Sequence, residues 1–441
     1  MHWLPVPLVE RADVTEPDWS RHADRRMALA REWDELVAQV REMDGFEDFL
    51  RPPRVEQLRE AATDGPVVIV NVSRWRCDAL IVRAGEDVAD VELDALTLDR
   101  AVERVNAYLD VLHEDQAAYL ALLDARERRE DGQLSRDEFL GAATKYEQVR
   151  TATETHLTGL LAWLWDVIAE PVLDALGPAS PEGGELPRLW WCPTGPLTLL
   201  PLHAAGRHDV PGAAVFDRVV SSYTPTLRAL LESRTRSTSA PATGLQESLV
   251  AVALGETPGQ PMLPNVDREI AVLHRLLPDR LEVLSGSGAT VAAVLDAMAA
   301  RRWAHFSCHG DQNLADPSQG GLLLYDDLLS ITAITARQYH GDFAFLSACK
   351  TATGGVSLPD EAITLAAALH YTGYNHVIAT LWSVWDPSAV EVTEAVYEEI
   401  VADGMLHPGR SARALHHAVA RLRERNLDRP GVWTPFIHIG P

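Results

Sequence analysis

Beyond residue 247 the sequence alternates short apolar runs with segments of helical periodicity. The apolar runs have the length and composition of strands and include SLVAVALG, LEVL, WAHFSC, GGLLL, FAFLSAC, HVIATLW and WTPFIHIG. Neighbouring strands of a parallel sheet are connected by crossovers, usually helices, so this alternation predicts an α/β domain with a largely parallel sheet covered on both faces. No other feature of the sequence restricts the fold class as strongly.

The rest of the 441 residues are too many for the same core, and two or three domains are expected. Residues 1–55 form a helical leader, because apolar side chains recur at helical spacing over residues 22–43. In residues 56–233, two β-branched runs separated by a polar turn predict a strand hairpin over 65–73 and 78–85. Two long periodic segments follow and predict a helical hairpin, with helices over 97–131 and 135–176.

Residues 234–247 contain almost no large apolar side chain, which predicts a mobile linker before the α/β domain at 248–441. We expect this segment to be the most protease-sensitive internal stretch. Arg234 and Arg236 make it a candidate for self-processing.

Composition disfavours several classes of partner and location. Lys and Arg number 39 against 64 Asp and Glu, a net charge of −25 that repels nucleic acids and anionic lipid surfaces. The N-terminus does not resemble a signal peptide, and no apolar run approaches the roughly 18 residues of a membrane span, so a cytoplasmic location is expected. The four cysteines lie far apart and are expected to be free thiols.

A histidine and a cysteine each follow an apolar strand of the α/β domain. His309 comes after WAHFSC and Cys349 ends FAFLSAC, and the separation of 349 − 309 = 40 residues accommodates one crossover between parallel strands. Both side chains are therefore expected at the carboxyl edge of the sheet, where an imidazole can take the proton of a thiol nucleophile. The N–H groups of Gly310 and Cys349 could then form an oxyanion hole.

Simpler interpretations of these residues exist. A single cysteine at a strand end is usually a small core residue, and a single histidine near a turn is usually only hydrogen-bonded. Cys308 is expected in the core, because it lies one residue before His309 and so points to the other face. A zinc site of His305, Cys308, His309 and Cys349 is disfavoured, since ligands on one strand should be two residues apart and no C-x-x-C motif is present.

Several segments together resemble the CHAT domain, the caspase-like peptidase that is often associated with tetratricopeptide repeats and is related to separases. They are HFSCHG, LSACKT, DEAITLAAALHYTGYNHVIATLWSVWD and WTPFIHIG, and further similarity extends the resemblance over residues 186–441 and, more loosely, 25–95. The resemblance implies that His309 is the catalytic histidine, Cys349 the nucleophile and Gly310 an oxyanion donor. No cofactor is expected.

The resemblance also implies a tandem architecture of two caspase-like halves, with residues 56–233 degenerate and residues 248–441 active. Cys192 ends a strand of the first half without a neighbouring His-Gly, so that half is expected to be silent. The repeats usual in the family are missing from residues 1–55, so a sensor array could have been lost, truncated or supplied by another chain acting as sensor or activator. A setting in bacterial defence or regulated cell death is implied by the resemblance alone.

The resulting hypothesis is a cysteine endopeptidase that cleaves a protein substrate, and the alternative is a silent scaffold that binds peptides or partner proteins. The surround SACKT differs from the caspase motif, so specificity for aspartate is not expected. Asp386 is the first candidate for a pocket that favours a basic residue, with Asp311 and Asp360 as weaker candidates. Asp386 also precedes Pro387 at the predicted start of a helix, where it would serve as an N-terminal cap.

Overall fold

A computed structural model of the protein describes residues 19–43, 45–46, 49–51, 53–177, 184–238, 244–311, 316–348, 364–384 and 386–441. The chain divides into two compact units, residues 1–57 and 58–441. The helices, in chain order, are α1 (Trp19–Arg41), α2 (Val55–Arg59), α3 (Leu98–Glu130), α4 (Arg136–Leu164), α5 (Glu170–Leu176), α6 (Leu227–Thr238), α7 (Val266–Leu276), α8 (Val291–Ala300), α9 (Ile331–Thr335), α10 (Leu365–Thr372), α11 (Asp386–Ile400), α12 (Ser411–Arg425) and α13 (Pro430–Trp433).

The strands belong to one large sheet and two small ones. In chain order they are β1 (Val67–Asn71), β2 (Asp78–Val82), β3 (Ala89–Glu92), β4 (Arg188–Pro193), β5 (Val220–Tyr223), β6 (Gln246–Ala253), β7 (Leu281–Ser285), β8 (Arg301–Ser307), β9 (Gly310–Asp311), β10 (Gly321–Leu323), β11 (Leu328–Ser330), β12 (Phe343–Ser347), β13 (His376–Thr380), β14 (Val401–Ala402), β15 (Met405–Leu406) and β16 (Phe436–Ile439).

The large sheet passes through both halves of the second unit. Among the described residues it has eleven strands, in the order β3-β2-β1-β4-β5-β16-β13-β12-β8-β6-β7. Strands β13, β12, β8, β6 and β7 are parallel to one another, and so are β1, β4 and β5. The expected mostly parallel sheet flanked by helices is confirmed.

Strand β16 connects the two halves of the sheet. It pairs antiparallel with β13 and parallel with β5, so the parallel strands of the two halves run in opposite directions. The carboxyl ends of β8 and β12 therefore lie at one edge of the sheet, and those of β4 and β5 lie at the opposite edge.

Three hydrophobic clusters cover the sheet: the first lies on one face, and on the other face the second lies around β8 and β12 and the third around β1 and β4. Alternate residues of a strand point to opposite faces, and in β8 Ala304 and Phe306 join the first cluster while Trp303 joins the second. The first cluster receives buried residues of α3, α4, α8 and α10, and the second receives residues of α7, α11 and α12. Burying each large apolar side chain in these layers contributes about 1.5–3 kcal/mol.

The predicted helices of the N-terminal part are confirmed. Helix α1 covers most of residues 22–43, and α3 and α4 form the expected helical hairpin. The Ser135 hydroxyl accepts from the Glu138 N–H, and the Glu138 carboxylate accepts from the Ser135 N–H, so the start of α4 is capped reciprocally. A π-helical turn over Trp165–Ala169 connects α4 to α5.

Helix α6 and strand β6 both enter the segment that was predicted as a linker. Helix α6 extends to Thr238 and β6 begins at Gln246. The Arg234 guanidinium stacks over Trp190 at 4.7 Å, and the Arg236 side chain donates to the Asn375 side chain at 3.2 Å. These contacts hold the last turns of α6 against the core, while residues 239–243 lie outside the described residues.

Two small sheets accompany the large one, and of their strands only β10 was predicted, by the run GGLLL. Strands β9, β10 and β11 form an antiparallel three-stranded sheet, and β14 pairs with β15. Each of these strands has only two or three residues, which is too short to show a period of two. In the part of the chain that the structure describes, no helix combines the length and apolar character of a membrane span.

Candidate active site

Strands β8 and β12 lie side by side in the centre of their half of the sheet. They pair in parallel from Trp303 opposite Phe343 to Ser307 opposite Ser347, as the 40-residue spacing predicted. This last pair lies two residues before His309 and two residues before Cys349 in sequence. Cys349 itself lies outside the described residues, which reach Ala348.

The residues after the last pair follow the alternation of the strands. Cys308 and Ala348 are 1% and 5% exposed, and both belong to the cluster on the first face. Ser307 and Ser347 point to the second face, where they contact α7. The prediction that Cys308 is a core residue is confirmed.

The imidazole of His309 has a main-chain partner. Its Nε2 lies 2.8 Å from the carbonyl oxygen of Pro261, in the loop between β6 and α7. A carbonyl only accepts hydrogen bonds, so Nε2 carries the proton and Nδ1 of the neutral ring is left as the basic nitrogen. The sequence contained no signal for this contact, because every residue has a carbonyl group.

Gly310 is placed with its N–H directed away from the neighbouring strand. The His309 carbonyl accepts from the Leu323 N–H at 2.9 Å, so His309 and Leu323 form a hydrogen-bonded pair of the antiparallel ladder. The next pair is Gly310 with Leu322. In an antiparallel ladder this next pair is of the non-hydrogen-bonded type, whose N–H groups point outward. The Gly310 N–H therefore takes no part in the ladder between β9 and β10.

A buried polar cluster lies beneath the ends of β8 and β12. The Glu269 carboxylate of α7 accepts from the Ser307 and Ser347 hydroxyls, each at 2.8 Å, and lies 3.1 Å from Nε2 of His305. Nδ1 of His305 is 3.2 Å from the Tyr397 hydroxyl. Glu269 could not be recognised from the sequence as part of this cluster, because an acidic residue in an amphipathic helix ordinarily faces solvent.

This cluster also bears on the zinc alternative. His305 faces Glu269 on the second face of the sheet, whereas Cys308 is buried on the first face. The two side chains therefore cannot converge on one ion. Among the described residues, no group of three His, Cys, Asp or Glu side chains is arranged to hold a metal.

The neighbouring strand β13 supports the end of β12. The Thr380 hydroxyl donates to the Ala348 carbonyl at 2.7 Å, and Thr380 is 2% exposed. Two residues further on, the Trp382 ring packs edge-on against Tyr108 of α3, with 5.8 Å between the ring centroids. A helix of the N-terminal hairpin thus contacts the segment that follows β13.

Of the three candidate pocket residues, the structure fully describes only Asp311. Asp311 is exposed in β9, opposite Gly321 of β10. Helix α11 begins at Asp386, which agrees with the predicted helix start, but the Asp386 side chain and all of Asp360 lie outside the described residues.

Comparison with known proteins identifies the family. The sequence model of the CHAT domain matches residues 158–441, which is more than half of the chain. The chain belongs to the CHAT domain family. No curated protein matches its sequence.

Solved structures similar to this CHAT protein come from two groups of cysteine peptidases. Saccharomyces cerevisiae separase in its complex with securin has TM-scores of 0.57 and 0.55 in two structures, with 10% identity over 88% of this chain. The aligned region is 31% and 30% of the separase chain, so this chain spans about a third of separase. The Arg-specific cysteine proteinase gingipain R (RgpB), from Porphyromonas gingivalis, has a TM-score of 0.42 with 13% identity, covering 62% of this chain and 68% of that chain. The likeness to separase shows a caspase-like fold.

The first half of this CHAT protein contains a cysteine in a different environment. Cys192 is buried at the carboxyl end of β4, at the edge of the sheet opposite to His309. Burial raises the pKa of its thiol to about 12, and Sγ lies 3.5 Å from the Pro225 carbonyl. A thiol with this pKa remains protonated at neutral pH and is a poor nucleophile.

Proposed function

We propose that this CHAT protein is a cysteine endopeptidase in which His309 and Cys349 transfer an acyl group of a protein substrate. The observation that carries the proposal is the in-register pairing of β8 with β12, which ends two residues before each member of the dyad. Strand β12 ends at Ser347, and one peptide bond separates Ala348, the last described residue after it, from the nucleophile, since consecutive Cα atoms are about 3.8 Å apart.

The described geometry around His309 supports a role as general base. The Pro261 carbonyl holds the proton on Nε2, which leaves Nδ1 to take the proton of the Cys349 thiol. The thiolate attacks the substrate carbonyl carbon, and the resulting oxyanion accepts from the N–H groups of Gly310 and Cys349.

The intermediate then collapses with cleavage of the C–N bond, and the imidazolium gives its proton to the leaving amine. The thioester that remains is attacked by water, which loses a proton to His309. Cleavage of the C–S bond then releases the carboxylic acid and restores Cys349 as a thiolate or, after it recovers the proton, as a thiol.

We further propose a protein substrate cleaved after a basic residue, with Asp386 in the specificity pocket and Asp311 and Asp360 as weaker candidates. The exposed position of Asp311, two residues after His309, is compatible with contact to a substrate. The similar separase structure is a complex with the protein securin. That complex supports a protein partner for this chain, and we propose that the partner is a sensor or activator in bacterial defence or regulated cell death.

The test combines a thiol-reactive probe with cleavage of a peptide library by the full chain. The parent should be labelled at Cys349, and Cys349→Ala and His309→Ala should each lower cleavage by at least about 1000-fold, because the two residues act as one unit. Cys308→Ala is the matched control and should keep its activity, since Cys308 is buried on the other face of the sheet.

Two results would contradict the proposal. Cleavage that persists in Cys349→Ala would show that Cys349 is not the nucleophile. A parent whose Cys349 reacts no faster with the probe than it does in His309→Ala would favour the scaffold alternative, because a scaffold needs no activated thiol.

A further inference from the structure

Glu269 is a buried carboxylate that the mechanism above does not use. It is 2% exposed, and its two oxygens are shared between neighbouring strands. Oε1 accepts from the Ser347 hydroxyl of β12, and Oε2 accepts from the Ser307 hydroxyl of β8, each at 2.8 Å. His305, which is fully buried, lies 3.1 Å from the same Oε2 through its Nε2.

We infer that Glu269 is a positioning residue, which holds the ends of β8 and β12 at a fixed spacing and so places His309 and Cys349 for proton transfer. This inference rests on the proposed function of the dyad. Among the described residues, its side-chain hydrogen bonds are to His305, Ser307 and Ser347, and it acts through the two serines, which are direct partners in the ladder.

The chemistry of the cluster favours a carboxylate at this position. Two hydroxyls and one imidazole nitrogen approach it, and an ionised carboxylate can accept from all three because it has only acceptor sites. A neutral amide of the same shape would present donors on one side, so at least one serine would have to turn its hydroxyl away. Burial makes such a mismatch expensive, because water cannot replace the lost bond.

Glu269 also lies close in sequence to Pro261, whose carbonyl is the hydrogen-bond partner of His309. Helix α7 begins at Val266, five residues after Pro261, whose carbonyl holds the His309 ring. The Leu263 N–H donates to the Gly255 carbonyl at 2.8 Å and closes the loop between β6 and α7. One helix therefore carries both the carboxylate that holds the strand ends and the loop that orients the imidazole.

This arrangement predicts a loss of turnover rather than of binding. Small displacements of reacting groups are costly in rate, and a shift of about 1 Å can cost about 100-fold. Glu269→Gln should lower kcat, and the rate at which iodoacetamide alkylates Cys349, by about 10-fold or more, with KM changed by less than about 3-fold. Glu269→Asp, which keeps the charge, should recover part of this loss.

The controls separate positioning from general destabilisation. Glu398→Gln removes an exposed carboxylate of α11 that pairs with Arg275, and it should leave kcat and alkylation unchanged. Amide hydrogen exchange should become faster in peptides covering residues 303–311 and 343–348 of Glu269→Gln and remain unchanged in Glu398→Gln. Ser307→Ala and Ser347→Ala should each lower kcat by less than Glu269→Gln does. When either is combined with Glu269→Gln, the further loss of kcat should be smaller than in the single serine variant, because the three groups are coupled.

The outcomes separate this inference from the proposed function. A folded Glu269→Gln variant with unchanged kcat and alkylation rate would overturn the inference while leaving the peptidase assignment in place. If Glu269→Gln does not fold, Ser307→Ala combined with Ser347→Ala gives the same test, and full activity of that double variant would overturn the inference. A parent whose Cys349 reacts no faster than in His309→Ala would overturn the proposed function, and this inference with it.

Discussion

The Ser307 and Ser347 hydroxyls bind the same carboxylate although they belong to different strands. The two residues are direct partners at the last rung of the ladder between β8 and β12. Each residue is followed two positions later by a member of the proposed dyad. We therefore expect the spacing of the proposed dyad to depend on contacts below the sheet edge, and these contacts can be changed without substituting His309 or Cys349.

The hydrogen bond from Thr380 to Ala348 offers one such change. Thr380→Val keeps the shape of the side chain but leaves the buried Ala348 carbonyl without this donor, so we expect the free energy of unfolding to fall by about 1–2 kcal/mol. Peptidase activity should fall as well, because Ala348 directly precedes Cys349. Urea denaturation and kinetic assays check both effects. Thr155→Val, at an exposed position of α4, is the control, and an equal loss in both variants would contradict the prediction.

The tyrosines Tyr108 and Tyr397 are both fully buried but differ in their hydroxyl contacts. The Tyr397 hydroxyl lies 3.2 Å from His305, whereas the Tyr108 hydroxyl has no hydrogen-bond partner in the described part of the chain. Tyr108→Phe should therefore raise the free energy of unfolding by about 1 kcal/mol, and Tyr397→Phe should lower it by a similar amount. Urea denaturation of the two variants decides the matter, and a change of the same sign in both would be the contrary result.

Buried histidines predict a loss of stability in mild acid. Burial lowers the pKa of His203 and of His376 to about 3 in the folded chain, against an unfolded value of about 6.5. Below pH 6.5 the unfolded chain binds protons that the folded chain does not, so stability falls as the pH decreases towards the folded pKa. The expected slope is about 1.4 kcal/mol per pH unit for each such histidine.

Urea denaturation between pH 7.5 and pH 5 measures this slope. His376→Gln should reduce it by the contribution of one histidine, whereas His113→Gln, at an exposed position of α3, should leave it unchanged. A parent that is equally stable at both pH values would show that these rings are not held neutral by burial.

The specificity proposal is tested with Asp386→Asn and a library of peptides that vary at the residue before the cut. If Asp386 lies in the pocket, the preference for a basic residue disappears, because an ionised carboxylate that contacts Arg or Lys discriminates strongly against neutral side chains. If Asp386 only caps α11, specificity stays and the free energy of unfolding falls by about 0.5–2 kcal/mol. Asp311→Asn is measured beside it. A parent that prefers Asp or an apolar residue before the cut would rule out the acidic pocket.

The features of the candidate site that depend on a local sequence pattern could be predicted. The apolar runs before His309 and Cys349 predicted two neighbouring parallel strands, and alternation predicted that Cys308 is buried. Pro261 and Glu269 could not be predicted in the same way. The first acts through its main chain, and the second is buried only because strand ends that are distant in sequence surround it with donors.

In the fold, too, the elements set by local pattern could be predicted, and the pairing of distant segments could not. Helices α3 and α4 were predictable because their periodicity extends over many turns. The run GGLLL predicted β10, but its pairing with β9 and β11 was not predictable, because those strands have only two or three residues. The continuity of the large sheet through β16 was also not predictable, since pairing between segments far apart in the chain leaves no trace in the local pattern.

The position of β16 has a consequence for biosynthesis. Its Ile439 pairs with Tyr223 of β5, a sequence separation of 439 − 223 = 216 residues, and β16 is the strand between β5 and β13. A ribosome must therefore have added the residues of β16 before the two half-sheets can be joined, and contacts of such long range form slowly. During translation the two half-sheets remain unconnected, so the nascent chain passes through a stage in which β5 and β13 each expose an unpaired edge.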